Sequence, residues 1–282
     1  PKYGQGLSYA IMDLGYEAMQ PHQETLTKAW VRSRLSGSTD AVRDFEVTRA
    51  AWDQDRWPFD LDSVGESTVG NPRQRFRLTG HDTIAWGRPY LNYLLLLAAL
   101  SRHVDRPPQS YIEIGGGFAV LGEIVATRDP DVRYIDADIP PLVSIAAFYL
   151  SEVVGGVLPP ADLPAGPLDL PRVAAIPNWR IGDVAGPIDV FVNSFSFQEM
   201  EPEVVANYAN AVRDIGVRWV VSRNSAVGKR RVEPGRAGGA VEPVTSARIV
   251  SIFEERGFRT VARHGRPFAV SSGAELVILE AT

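Results

Sequence analysis

Three consecutive glycines, Gly115–Gly117, separate an apolar run that contains an acid, Tyr111-Ile-Glu113-Ile, from a second apolar run, Phe118-Ala-Val-Leu121. Such a turn lets backbone approach a ligand closely, because no Cβ blocks it and positive φ is allowed. A helix starting behind it offers free N–H groups. Nucleotide-type cofactors are held this way at the end of a parallel strand. Glu113 narrows the choice. A carboxylate inside the strand does nothing for a phosphate, whereas a molecule with a cationic amino-acid end and no phosphate tolerates it. S-adenosylmethionine is such a molecule. About twenty residues on, Tyr134-Ile-Asp136-Ala-Asp138-Ile139 supplies two acids on one face of the next strand, and one of them can accept both ribose hydroxyls. Asp138 lies nearer the carboxyl end and is the expected one, with Ile139 against the adenine and Asp136 as a solvated charge.

A third cluster follows in Asp189-Val-Phe-Val-Asn193-Ser194-Phe-Ser196-Phe-Gln198-Glu199-Met200. An apolar strand runs into polar residues at its carboxyl end, where an open α/β sheet binds ligands. Asn193 and Ser194 are expected on the cofactor, and Gln198 and Glu199 on a polyhydroxylated acceptor. Glu199 also fits the acidic first turn of a helix.

Together these segments resemble the bacterial sugar O-methyltransferase family. The resemblance lies in Ile112-Glu-Ile-Gly-Gly-Gly, in Asp138-Ile-Pro after the second strand, in the Ser-Phe-Gln-Glu-Met block ending at Met200, and in Arg223-Asn224. It covers about residues 88 to 224. Phe197-Gln-Glu-Met is its more specific part. It implies S-adenosylmethionine as donor, a sugar hydroxyl as acceptor, cofactor roles for Glu113, Gly115, Gly117 and Asp138, and site roles for Gln198 and Glu199. This chain has Asn-Ser-Phe-Ser before Phe197, where the family carries a Thr-Ser pair.

Methyl transfer to an alcohol needs orientation at near-attack distance and a group that removes a proton. His81, in Thr79-Gly-His-Asp82, is the leading base because imidazole titrates near neutrality. Glu199, Asp82 and His264 are the other candidates. His22 and His103 sit on helical patterns as surface or core groups. Acids around residues 193–201, with Asn224, leave magnesium open, although no spacing predicts a metal site. Arg223 and Asn224 could bind sugar hydroxyls. Trp52, Trp57, Trp86 and Phe59 suit sugar rings or a core. The cationic loop Lys229–Arg231 with Arg236 reads as solvated, or as a site for a phosphate on a nucleotide sugar.

The elements that must position these groups follow from the apolar pattern. Residues 1–105 read as mostly helical, over 7–19, 26–35, 39–52 and 89–104, with an irregular stretch over 57–87. They are expected to form a lid or substrate region and a possible homodimer face. Residues 106–282 read as the cofactor domain. Strands are expected over 111–114, 132–138, 173–176, 188–192, 217–222, 259–263 and 275–280, with helices over 119–128, 141–154, 202–215 and 244–256. Strands alternating with helices predict a parallel sheet with right-handed crossovers. The last two strands lack a helix between them and predict an antiparallel hairpin. The fold class is therefore α/β, a Rossmann-like methyltransferase sheet with a helical N-terminal region.

The 282 residues carry a net charge of -5, which disfavours a nucleic-acid partner. With no cysteine, disulfides, thiolate metal sites and thiol nucleophiles are excluded. No apolar run reaches membrane-spanning length, and a cytoplasmic protein is expected. Three other functions compete: methylation of an aromatic or polyketide hydroxyl, nicotinamide-dependent oxidoreduction, and ligand binding without catalysis. Glu113 and the final hairpin argue against the oxidoreductase.

Overall fold

A computed structural model describes residues 38–282, apart from 58, 73–74, 78–83, 169, 234–239 and 271–272. The helices expected over 7–19 and 26–35, and His22, His81, Asp82 and Arg236, lie outside the described residues.

Helix α1 spans Ser38–Ala51 and α2 Arg88–Ser101. The sheet then alternates with helices: β1 Ser110–Ile114, α3 Val120–Arg128, β2 Arg133–Asp138, α4 Leu142–Val153, β3 Val173–Pro177, β4 Val190–Ser194, α5 Pro202–Asp214, β5 Trp219–Ser225 and α6 Ser246–Glu254. The hairpin β6 Phe258–His264 and β7 Ala274–Ala281 closes the chain. The seven strands run in the order β3-β2-β1-β4-β5-β7-β6. Strands β1 to β5 are parallel, and β7 enters antiparallel between β5 and β6. This is the Rossmann-like methyltransferase arrangement that the alternation predicts.

Period-two side chains divide the sheet into two buried faces. Tyr111, Tyr134, Val190, Val192, Trp219 and Val221 pack with α1 to α4. Ile112, Ile114, Ile135, Phe191 and Val220 pack with α5 and α6. On α5 the apolar residues Val205, Tyr208, Ala209 and Val212 recur at helical spacing and make one buried stripe. Helix α2 is apolar all round, and Tyr90 to Ser101 are all buried. A helix of that kind belongs inside a core.

Phe45, Trp57, Leu61, Trp86 and Leu94, from residues 38–104, share one core with the sheet. The apolar surface of α2 is consumed within the chain and offers no dimer face. Trp57, Phe59 and Trp86 are core residues, and Trp52 stacks on Trp57 at 5.4 Å, so this cluster is not a sugar platform.

Strands β4 and β5 also extend two to three residues past their expected ends. Asn193 and Ser194 pair with Ser222 and Arg223 inside the ladder. Polar side chains end the apolar pattern there before the strands themselves end.

Candidate functional site

Strand order reverses between β1 and β4, and the glycine turn lies at that reversal. Gly115 and Gly117 both adopt left-handed φ, of 72° and 66°. Close approach fixes two of the three positions. A Cβ on Gly115 would lie 2.5 Å from Ser196 Cβ and Oγ. A Cβ on Gly116 would lie 2.4 Å from Asp136 Oδ1 and 2.9 Å from Glu113 Oε2. The third, Gly117, has open space where a Cβ would sit, with nothing within 4 Å.

Glu113, Asp136 and Asp138 occupy alternate positions on one face of neighbouring strands, with Glu113 paired opposite Asp136. The Gly116 N–H donates to Asp136 Oδ1 at 3.2 Å, and the Gly117 N–H to Asp138 Oδ2 at 2.9 Å. Ile139 N–H donates to Asp138 Oδ1 at 2.7 Å. The turn's amides therefore face carboxylates, where a dinucleotide site would present them to phosphate.

Burial governs the charge of this cluster. Glu113 is fully buried, and burial raises its carboxyl to about 7 although Tyr93 and Tyr134 hydroxyls donate to it at 2.6 and 2.7 Å. Asp136 is also fully buried and is raised well above the carboxylate range by burial and by the charges of Asp138 and Glu113. The expectation of a solvated Asp136 is overturned, because Tyr134 and the glycine turn enclose its face of the strand. Asp138 is raised to about 6, again mainly by burial.

The residues fit a cationic nucleoside. Asp136 Oδ2 is buried without a hydrogen-bond partner beneath the turn. Each Asp138 oxygen accepts one backbone N–H and keeps a lone pair for a ribose hydroxyl. Next to it, Ile139 exposes 51% of its surface, an apolar face for a base. Glu113 sits one layer down with both oxygens on tyrosine hydroxyls, so its influence on a ligand is electrostatic and direct contact is ruled out.

The 193–200 block acts differently from the expectation. Asn193 is fully buried; its Nδ2 donates to Ile114 O and Ser196 Oγ, and its Oδ1 accepts from Phe197 N–H and Asn224 Nδ2. Its polar capacity is spent, and the proposed contact with the cofactor is corrected to a structural clasp between β1, β4 and β5. Gln198 Oε1 accepts the Ser225 N–H at 2.7 Å, which fastens the turn to β5. Asn224 is fully buried in the same network, and Arg223 is 2% exposed, so neither offers itself to a sugar hydroxyl. Glu199 is exposed and pairs with Lys229 at 2.6 Å. Glu201 accepts the Val241 and Glu242 N–H groups, each at 2.9 Å. Among the described residues no group of three acids or histidines is arranged around a metal position.

Ser194 Oγ accepts from Arg223 Nε at 2.9 Å. Arg223 Nη1 donates to Asn92 O at 2.6 Å, and its guanidinium lies 5.4 Å from the Tyr93 ring and 5.5 Å from the Phe195 ring. Phe195 holds a φ of 66°, a conformation that costs a bulky residue about 1–3 kcal/mol. Nothing local in the sequence marks the roles of Tyr93, Tyr134 and Phe195 or the bracing role of Arg223. A tyrosine in an apolar helix has no local mark that its hydroxyl will meet a strand acid. His264 packs on His103 and Phe268 in the hairpin region, with ring centroids 5.8 and 5.1 Å away.

No protein-family model and no curated protein matches the chain. Solved structures are similar at low identity. The pyocyanin biosynthetic protein PhzM shares 15% identity over 69% of this chain and 59% of PhzM, with a TM-score of 0.44. Magnesium protoporphyrin IX methyltransferase (ChlM) from Synechocystis PCC 6803, with bound SAM, shares 12% over 69% of this chain and 79% of its own, with a TM-score of 0.46. The mitomycin 7-O-methyltransferase MmcR shares 14% over 89% and 71%, with a TM-score of 0.45. The chain thus spans less than two thirds of the length of PhzM. Likeness of this degree says nothing of the chemistry, which rests on the residues of the site.

Proposed function

We propose that this chain is an S-adenosylmethionine-dependent O-methyltransferase whose acceptor is a small molecule. The finer reading is a sugar hydroxyl, on a deoxysugar of a glycosylated natural product. One observation carries the donor: three carboxylates pack against the glycine turn at the β1/β4 reversal. The turn's Gly116 and Gly117 N–H groups already donate to these acids and are not free for a phosphate, whereas a sulfonium with an ammonium group favours the ionised carboxylates. The sugar acceptor rests on the family resemblance of Ser196-Phe-Gln-Glu-Met200.

The bound cofactor supplies an activated methyl group. Asp138 would accept the ribose hydroxyls, Ile139 would lie on the adenine, and Gly115 and Gly117 would let the backbone meet the amino-acid end. Ser194, at the carboxyl end of β4 and bonded to Arg223, would orient that end. Tyr93 and Tyr134 fix the Glu113 carboxyl beneath the turn and moderate the rise that burial imposes on it. For the acceptor's proton, His81 and Glu199 are the proposed bases. Glu199 is exposed and held by Lys229, away from the enclosed acids of the cradle, and His81 is preferred.

Incubation of the chain with S-adenosylmethionine and a panel of deoxysugar glycosides, followed by mass spectrometry, tests this reading. Formation of S-adenosylhomocysteine together with a product heavier by one methylene is expected. A chain that binds the cofactor and methylates only phenols would overturn the sugar assignment, and one that binds no cofactor would overturn the whole.

A further inference from the structure

The feature with no part in cofactor binding is Phe195. It follows β4 directly, in a left-handed conformation that glycine adopts freely and a phenyl residue does not. The turn itself needs that backbone. Phe195 N–H donates to Arg223 O at 2.7 Å, and the next residue, Ser196, must reach Ile114 O at 2.9 Å and close on Gly115. None of this requires a ring, so the ring contributes something that offsets the conformation.

One contribution is visible. The Arg223 guanidinium lies 5.5 Å from the ring centroid, itself fixed by Ser194 Oγ, Asn92 O and the Tyr93 ring. Arg223 is 2% exposed, so this brace is rigid and shielded from water. The Phe195 ring is only half-buried. It stands beside the glycine turn, at the carboxyl end of the strand that borders the reversal. A ring already faced by one cation is a poor partner for a second, and a good one for a neutral ring.

We propose that Phe195 is an acceptor-binding residue, its ring the platform for an uncharged ring whose hydroxyl is turned toward the methyl donor, with Arg223 as the positioning residue behind it. The inference rests on the methyl-transfer reading. The shared acceptor chemistry is an apolar ring face with a hydroxyl at its edge, which a deoxysugar or a phenol would offer.

The test uses the full chain saturated with S-adenosylhomocysteine and titrated calorimetrically with two probes, methyl α-L-rhamnopyranoside and 2-naphthol. The wild type is expected to bind one of them, and the one bound identifies the source. Phe195→Leu and Phe195→Met are each expected to weaken that probe about tenfold, the worth of one ring contact. Phe195→Tyr should retain it, and affinity for S-adenosylmethionine should stay within about twofold in every variant. The methionine variant carries the test should the leucine variant fail to fold. Unchanged probe affinity, equal loss of cofactor affinity, or no binding of either probe to the wild type would overturn the proposal. Failure of the wild type to bind cofactor at all is a separate outcome, and it removes the methyl-transfer reading as well.

Discussion

At the scale of single residues, the acids of the cradle make ligand binding pH-dependent. Glu113 and Asp138 are raised to about 7 and about 6, so the free protein holds protons that the unfolded chain would release. Their contribution to stability is full below about pH 4, the ordinary carboxylate range, and is lost as pH rises through 6 to 7. A cationic ligand reverses this, because it favours the ionised carboxylates. Affinity for S-adenosylmethionine should therefore rise between about pH 5.5 and about pH 8, with proton release on binding. Titrations in two buffers of different ionisation enthalpy measure that proton, and equal heats in both would contradict it. Asp138→Asn removes the charge that accepts the ribose hydroxyls and should weaken the cofactor roughly 10- to 100-fold, as expected for hydrogen bonds to a charged group. For His81→Ala the expected loss lies in kcat, about 100-fold or more, with cofactor affinity unchanged. A normal kcat in that variant would remove His81 as the base.

At the scale of elements, the glycine turn and the reversal after β4 form one interlocked unit. Ser196 fills the space beside Gly115, while the space beside Gly117 is open. Both positions hold left-handed φ, which costs an alanine about 1–2 kcal/mol. Gly117→Ala should lose about that much stability. Gly115→Ala should lose clearly more, because Ser196 is tied to Ile114 O and Asn193 and cannot withdraw. Thermal melts of the two variants decide the order, and equal losses would show that Ser196 yields easily. The turn itself was legible in the sequence, since only a glycine run between an apolar strand and an apolar helix reads that way. The reversal was legible only as polar residues at a strand end. Asn193 and Gln198 read as ligand-facing because amides serve either purpose, and only tertiary contact shows that theirs are consumed by β1 and β5.

At the scale of the whole molecule, the mostly parallel sheet and the final hairpin followed from spacing, because a missing crossover helix forces β7 to run antiparallel, while the strand order came only from the structure. The place of α2 was not legible, because a helix apolar on every side is read equally well as an interface or as a core. Helix α2 proves to be core, and Leu95→Ala on it should cost about 2–5 kcal/mol, the penalty of an unfilled cavity. A loss under about 1 kcal/mol would show instead that α2 packs loosely. The Tyr93–Glu113 contact joins this helix to the sheet, so α2 helps hold the cradle acid through a contact that no local pattern reveals. The claim on which all of this turns is that the cradle selects a sulfonium nucleoside over a phosphate-bearing one. Calorimetric titration of the full chain with S-adenosylmethionine and, separately, with NAD tests it most directly. One site for S-adenosylmethionine and no heat with NAD is the predicted result; binding of NAD, or no binding of S-adenosylmethionine, would contradict it.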